Sequence, residues 1–170
     1  MECQVSVADY SEKAILRNLI ELYLYDFSEL EGGDVNEFGL FDYHYLDHYW
    51  TEPERYPFLV RVSRKLAGFV LLRRSSYTHQ AQEDPKDLPM TVAEFFIMRR
   101  YRRKGIGTQV ARQLFARFSG SWQVAEMVEN REAQAFWRKV IDDFTAGKFE
   151  EVFINSESWH GPVQVFEMGR

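Results

Sequence analysis

With one cysteine, Cys3, in 170 residues, the chain can form no internal disulfide and no cysteine-paired metal site. The four histidines, His44, His48, His79 and His160, have no cysteine partners. His44 and His48 sit four apart and would share a helix face, but no clear third ligand accompanies them, so no metal is expected. No run of about eighteen apolar residues is present, and none of the tracts is a repeat or of low complexity. A membrane span is therefore not expected. The opening Met1-Glu2-Cys3-Gln4-Val5 lacks a basic stretch followed by an apolar block, so no signal peptide is expected and the cytoplasm is the expected compartment. What the chain does have is 45% hydrophobic and 28% charged residues, the makeup of one compact domain over 1–170.

The net charge of −5 is unevenly spread. Arg99, Arg100, Arg102, Arg103 and Lys104 place five cations in six positions, leaving −5 − 5 = −10 on the rest. From Asp26 to Glu54 there are nine carboxylates and no Lys or Arg. Two oppositely charged surfaces suggest two different ligands, although a basic turn that is merely solvated would look the same. An acidic chain with one compact basic turn lacks the extended basic face of a nucleic-acid binder, so no such partner is expected.

Apolar periodicity predicts alternating elements. Cys3 to Val7 reads as a strand. Ser11 is a plausible N-cap for a helix carrying Ile15, Leu16, Leu19, Ile20, Leu22 and Tyr23 and ending near Tyr25. From Ser28 to Pro57 the chain reads as loop with one short helix around Tyr43 to Tyr49. Phe58–Val62 and Leu66–Leu72 form a predicted hairpin across Ser63-Arg64-Lys65. A polar loop from Ser75 to Pro89, marked by Gln80, Gln82 and Glu83, leads to a strand over Thr91–Met98. A helix over Gly107–Phe118, a strand over Trp122–Val128, a helix over Asn130–Ile141 and strands over Glu150–Ile154 and Val163–Met168 complete the order. The sum is α/β: a mixed central sheet of about six to seven strands flanked by helices, in the order β-α-β-β-β-α-β-α-β-β.

The chemistry is expected where the strand ending at Met98 meets the next helix. Unpaired N–H groups and the partial positive charge of a helix start make a seat for phosphate. Gly105 and Gly107 would let that backbone approach a ligand, and Arg102, Arg103 and Lys104 would add charge-assisted hydrogen bonds. Spacing excludes a Walker loop, since one residue separates the glycines and no lysine precedes Thr108. A dinucleotide loop would need Gly or Ala where Val110 stands and a first glycine directly after the strand; Glu126, about twenty residues on, could serve as its ribose-binding acid.

The segment Phe95 to Gly107 resembles the acetyl-CoA signature of the GNAT acyltransferases, Gln/Arg-x-x-Gly-x-Gly/Ala after a hydrophobic strand. Asn130-x-x-Ala133-x-x-Phe136-Trp137 is similar to that family's second signature, Asn-x-x-Ala-x-x-Phe-Tyr. The resemblance implies a GNAT fold over nearly the whole chain and acetyl-CoA as co-substrate. It implies that backbone N–H groups of Arg103, Lys104, Gly105, Ile106, Gly107 and Thr108, with Arg102 beside them, bind the pyrophosphate. Ile97 and Met98 would pair with the pantetheine arm, and Asn130 and Phe136 would border it. It also implies N-acyl transfer by direct attack of an amine in a ternary complex. A non-catalytic acyl-CoA sensor or interaction module on the same fold is the alternative.

Trp137 departs from the family's tyrosine, and an indole N–H is no usable acid near neutral pH, so the residue either lines the channel or is core. Glu94 interrupts an apolar strand and is the candidate base, acting through water, unless it merely points outward at a rim. The acidic, aromatic segment before the second strand is expected to select a cationic acceptor, with Asp26, Asp47 and Tyr25 as its contacts, unless its aromatics are packing and its acids a solvated rim. A small-molecule amine or a peptide amino group is the expected partner. The oligomeric state, a homodimer included, stays open.

Overall fold

The computed structural model describes residues 2–78 and 84–169. Gln80, Gln82 and Glu83, expected in a solvent loop, lie outside them, as does His79. The elements are β1 (Cys3–Val7), α1 (Lys13–Glu31), α2 (His48–Thr51), β2 (Arg55–Val62), β3 (Lys65–Arg74), β4 (Met90–Ile97), α3 (Ile106–Phe115), β5 (Gly120–Ala125), α4 (Arg131–Thr145), β6 (Phe149–Asn155) and β7 (His160–Met168). They build one seven-stranded sheet in the order β1-β2-β3-β4-β5-β7-β6. Every neighbouring pair is antiparallel except β4 and β5.

Strand alternation divides the core between two faces. On β2 and β3, Leu59, Phe69 and Leu71 point to the side covered by α1, where they meet Leu16, Leu19 and Ile20. Val60, Val70 and Leu72 point the other way, to α3 and α4, where Val110, Leu114 and Ile141 close over them. No described helix is long and apolar enough to cross a membrane.

Several expected boundaries move for local reasons. The cap of the first helical segment is Asp9, not Ser11. Its carboxylate accepts from Ser11 N while Glu12 Oε2 accepts from Asp9 N, a reciprocal box that starts a 3-10 turn leading into α1. α1 runs on to Glu31 and stops at Gly32, whose φ of 69° only glycine adopts cheaply. The predicted short helix begins later, at His48, so His44 and His48 do not share a helix. The strand expected to reach Val128 ends at Ala125. Beyond it, Glu126 and Val128 make irregular bonds to Pro162 and His160, and a Cβ on Gly161 would stand 2.1 Å from the Glu126 carbonyl oxygen.

Two irregularities shape the centre of the sheet. β4 and β5 pair only at Met90↔Trp122 and Thr91↔Gln123, then diverge. On the other edge of β4, Leu71 faces Glu94 and Leu72 faces Val92, leaving Ala93 as a bulge. Such an extra residue shifts the alternation and re-aims side chains. Ala93 packs toward α1, and Glu94, which strict alternation would send to the α3/α4 face with Val92, also turns to the α1 side.

Candidate active site

The divergence of β4 and β5 opens a passage that two clefts enter. The outer one, about 790 Å³, is bordered by the Arg99–Thr108 loop, the start of α4 and the C-terminal half of α1. The inner one, about 470 Å³, lies among Tyr43, Tyr49, Arg73, Tyr77, Glu94 and Glu126. Phe95, Asn130, Ala133 and Trp137 line both. The two clefts thus adjoin along these side chains.

The outer cleft holds the start of α3, where a phosphate seat was expected. α3 begins at Ile106 after Gly105, whose φ is 74°; Arg103 also has a positive φ, 57°. The first-turn N–H groups of Ile106, Gly107 and Thr108 precede the first carbonyl they could reach along the helix. Gly107 is not at positive φ. Its role is contact: a Cβ there would stand 3.1 Å from the Phe136 ring. The seat therefore fits a pyrophosphate through bare backbone at Gly107 and a left-handed turn at Gly105.

Of the residues expected at the cofactor, Ile97, Arg102, Arg103, Gly105, Gly107, Thr108, Asn130 and Phe136 line this cleft. Lys104 turns back to the Arg100 carbonyl, and Ile106 is core. Met98 is committed inside the fold: its N–H donates to Ala67 O and its carbonyl accepts from Tyr101 N. Arg102 Nε likewise donates to Ile97 O at 2.6 Å. Asn130 caps α4, its Oδ1 accepting from Ala133 N.

Glu94 is half-buried and lines the inner cleft, not an outward rim. Tyr23 donates to its Oε2 at 2.5 Å and Tyr43 to its Oε1 at 3.2 Å. Burial raises its pKa above the ordinary carboxylate range, and the two hydroxyls and Arg73 pull it back in part. Burial, with the Glu94 charge beside it, pushes the Tyr49 hydroxyl up to about 12 and the Tyr43 hydroxyl higher still. Those phenols are donors at neutral pH.

Trp137 lines both clefts and is also core, 5% exposed, with its ring edge-on to Phe95 and Phe136 at 4.9 and 5.0 Å. The three residues expected at a cationic acceptor do not line the inner cleft. Asp26 sits on the outer side, paired to Arg99 at 2.7 Å and Arg102 at 2.5 Å, because α1 runs past the basic loop. Asp47 pairs with Lys13 on the surface, and Tyr25 is 67% exposed.

Two inner-cleft residues were not singled out for this role. Glu126 is 4% exposed and neither of its carboxyl oxygens has a hydrogen-bond partner among the described residues. Burial pushes its pKa up to about 8. Gln164, close by, spends its amide Nε2 on Glu151, which also pairs with Arg138. Arg73 is the other; its Nε is buried without a partner. Among the described residues no three His, Cys, Asp or Glu side chains are grouped as metal ligands.

A sheet split between two parallel strands, with a glycine-flanked helix start on one side and a buried carboxyl on the other, is the frame of an acyltransferase fold. The profile described as "Acetyltransferase (GNAT) family" matches residues 17–141, and the chain belongs to that family. Among solved structures it is similar to an acetyltransferase from Thermus thermophilus, with a TM-score of 0.69 and 15% identity over 98% of this chain and 97% of that one. It is also similar to a spermidine N-acetyltransferase from Vibrio cholerae in complex with CoA and spermine (TM-score 0.63, 14% identity, 98% and 95% covered). A third is the ribosomal-protein-S18-alanine N-acetyltransferase from Escherichia coli (TM-score 0.61, 10% identity, 99% and 96% covered). At such identities the likeness shows the fold. No curated protein matches the chain in sequence.

Proposed function

We propose that the protein transfers the acetyl group of acetyl-CoA to a primary amine, on a small molecule or a peptide, by direct attack in a ternary complex. The observation that carries this reading is the meeting of the two clefts at the β4/β5 divergence, with the helix-start seat at Gly105–Thr108 on one side and Glu94 on the other. The acceptors in the names of two structural relatives, spermidine and a ribosomal-protein alanine, are both amines.

In this reading Gly107 and Thr108 hold the pyrophosphate with backbone N–H groups, and Arg102 and Arg103 add charge beside it. Asn130 and Phe136 border the arm that carries the thioester. Glu94 accepts a proton from the incoming ammonium through water, and its burial gives it the basicity to do so. The freed amine nitrogen bonds to the thioester carbonyl carbon, the C–S bond breaks with its electron pair leaving on sulfur, and the second proton shed by the acylated nitrogen ends on the thiolate or in solvent. A thiol pKa of about 8.5 makes that thiolate a fair leaving group, so no acid is required at Trp137. Tyr23 and Tyr43 keep the Glu94 carboxylate in place.

The test is release of free thiol from acetyl-CoA over a panel of amines, with Glu94→Gln as the variant. Amine-dependent release that loses its pH dependence in Glu94→Gln supports the reading. Tight acetyl-CoA binding with no release across the panel supports the sensor instead.

A further inference from the structure

The inner cleft was expected to be anionic, yet its wall carries a like-charged pair. Arg55 on β2 and Arg73 on β3 are directly opposed in the hairpin register. Like charges in that position repel, and the pairing needs an anion to offset it. Arg55 has one: its Nε lies 2.6 Å from Glu52 Oε2, and its guanidinium lies 5.5 Å from the Tyr49 ring centre. Arg73 has no ion-pair partner within 4.0 Å among the described residues, and its Nε is a buried donor with nothing to donate to. A buried unmade hydrogen bond from a charged group is costly, so Arg73 is placed to gain from an acceptor atom supplied by a ligand.

The surroundings leave the Arg73 charge for an anion to meet. The Tyr77 hydroxyl lies beside Arg73 and is lowered by it, although burial dominates and raises that phenol overall. The Tyr77 ring packs on Trp159 at 5.0 Å, and both residues line the cleft, giving it an aromatic wall. The carboxyls that share the cleft do not satisfy Arg73 directly. Glu94 feels the Arg73 charge only through space and is engaged by Tyr23 and Tyr43. Burial favours the neutral form of Glu126, and Asp26 and Asp47 are paired elsewhere.

We infer that the acceptor amine also carries a carboxylate, held by the Arg73 guanidinium while the ammonium faces Glu94, so that the substrate is an amino acid. A zwitterion presents the complement of that arrangement, negative toward Arg73 and positive toward Glu94. The forked guanidinium suits a carboxylate through two parallel hydrogen bonds. Arg73 is on this account the residue that selects the acceptor, and the inference rests on the amine acetyl transfer proposed above.

The experiment uses the full chain, acetyl-CoA, the protein amino acids and the primary amide of each. Amidation removes the carboxylate and keeps the amine. Thiol release should give kcat/KM about tenfold or more higher for the best acid than for its amide, with the difference in KM more than in kcat. In Arg73→Gln that ratio should fall to within about twofold of one, and Arg73→Lys should keep part of it, since a point charge replaces the fork. Amides that react as well as or better than the acids in the wild-type protein overturn the inference while leaving acetyl transfer to amines standing. An acid-over-amide ratio unchanged in Arg73→Gln overturns the role of Arg73. No thiol release with either series overturns the inference, and acetyl transfer itself is then judged by the wider amine panel. The wild-type comparison decides the matter even where Arg73→Gln does not fold.

Discussion

Tyr23, on α1, donates its hydroxyl to Glu94 Oε2 across 2.5 Å, joining residues 71 apart in sequence. The bond exists because the Ala93 bulge turns Glu94 toward α1. It favours the ionised carboxylate, so its removal raises the Glu94 pKa further. A base must be deprotonated to act. Tyr23→Phe should therefore move the acid limb of the kcat/KM profile to higher pH, and the limb should vanish in Glu94→Gln. A pH profile in Tyr23→Phe that overlays the wild-type one would remove Glu94 from proton transfer.

Acetyl-CoA binding should depend on Gly107 more than on Arg103. A valine at Gly107 meets the Phe136 ring, while Arg103 is an exposed side chain whose one carboxylate contact, Glu132, lies 3.4 Å away and is itself exposed. Calorimetric titration should show affinity falling about tenfold or more in Gly107→Val and less than about threefold in Arg103→Ala. The reverse order would mean that side-chain charge, not backbone, holds the phosphates.

Much of this was legible in the sequence. Alternation at Phe58–Val62 and Leu66–Leu72 marked the hairpin, and Arg102 to Gly107 located the outer cleft, because periodicity and glycine spacing are local signals. What was not legible depends on distant packing. A bulge at Ala93 leaves no mark in composition, yet it decides where Glu94 points. Asp26 reads as one acid among nine until α1, six residues longer than expected, carries it alongside Arg99 and Arg102. Glu126 owes its shift to burial just beyond β5, which nothing in its own neighbourhood of the sequence announces. Arg73 looks like an ordinary strand-end arginine until the register sets it against Arg55.

The pairing of Asp26 and Asp47 outside the inner cleft has a direct consequence. Asp26→Asn with Asp47→Asn should leave the ranking of acceptors by kcat/KM unchanged within about twofold, because neither carboxylate lines that cleft. A reordering of acceptors by charge in the double variant would restore the acidic segment as a selector.

Glu126 sets a pH dependence of stability whose sign is opposite to the usual carboxylate case. Its folded pKa of about 8 lies above the ordinary value of 4.5, so the folded state holds a proton that the unfolded state has lost. Stability from this group is complete below the unfolded pKa and declines as pH rises toward about 8, levelling above it. Glu94, also raised, acts in the same direction. Glu126→Gln keeps the shape without the proton. Its Tm, relative to the wild-type protein, should therefore rise between about pH 5 and about pH 8 and level off above that. Parallel Tm curves for the two proteins would show that Glu126 does not titrate in the fold.

The most direct measurement of the central claim follows both products of one reaction: free thiol from acetyl-CoA, and the acetylated amine by mass, over a panel of amines. The account predicts one thiol released for each N-acetyl product formed, with release failing in Gly107→Val and losing its acid limb in Glu94→Gln. Acetyl-CoA bound by the wild-type protein with no acetylated amine and no thiol above the rate without protein would contradict it.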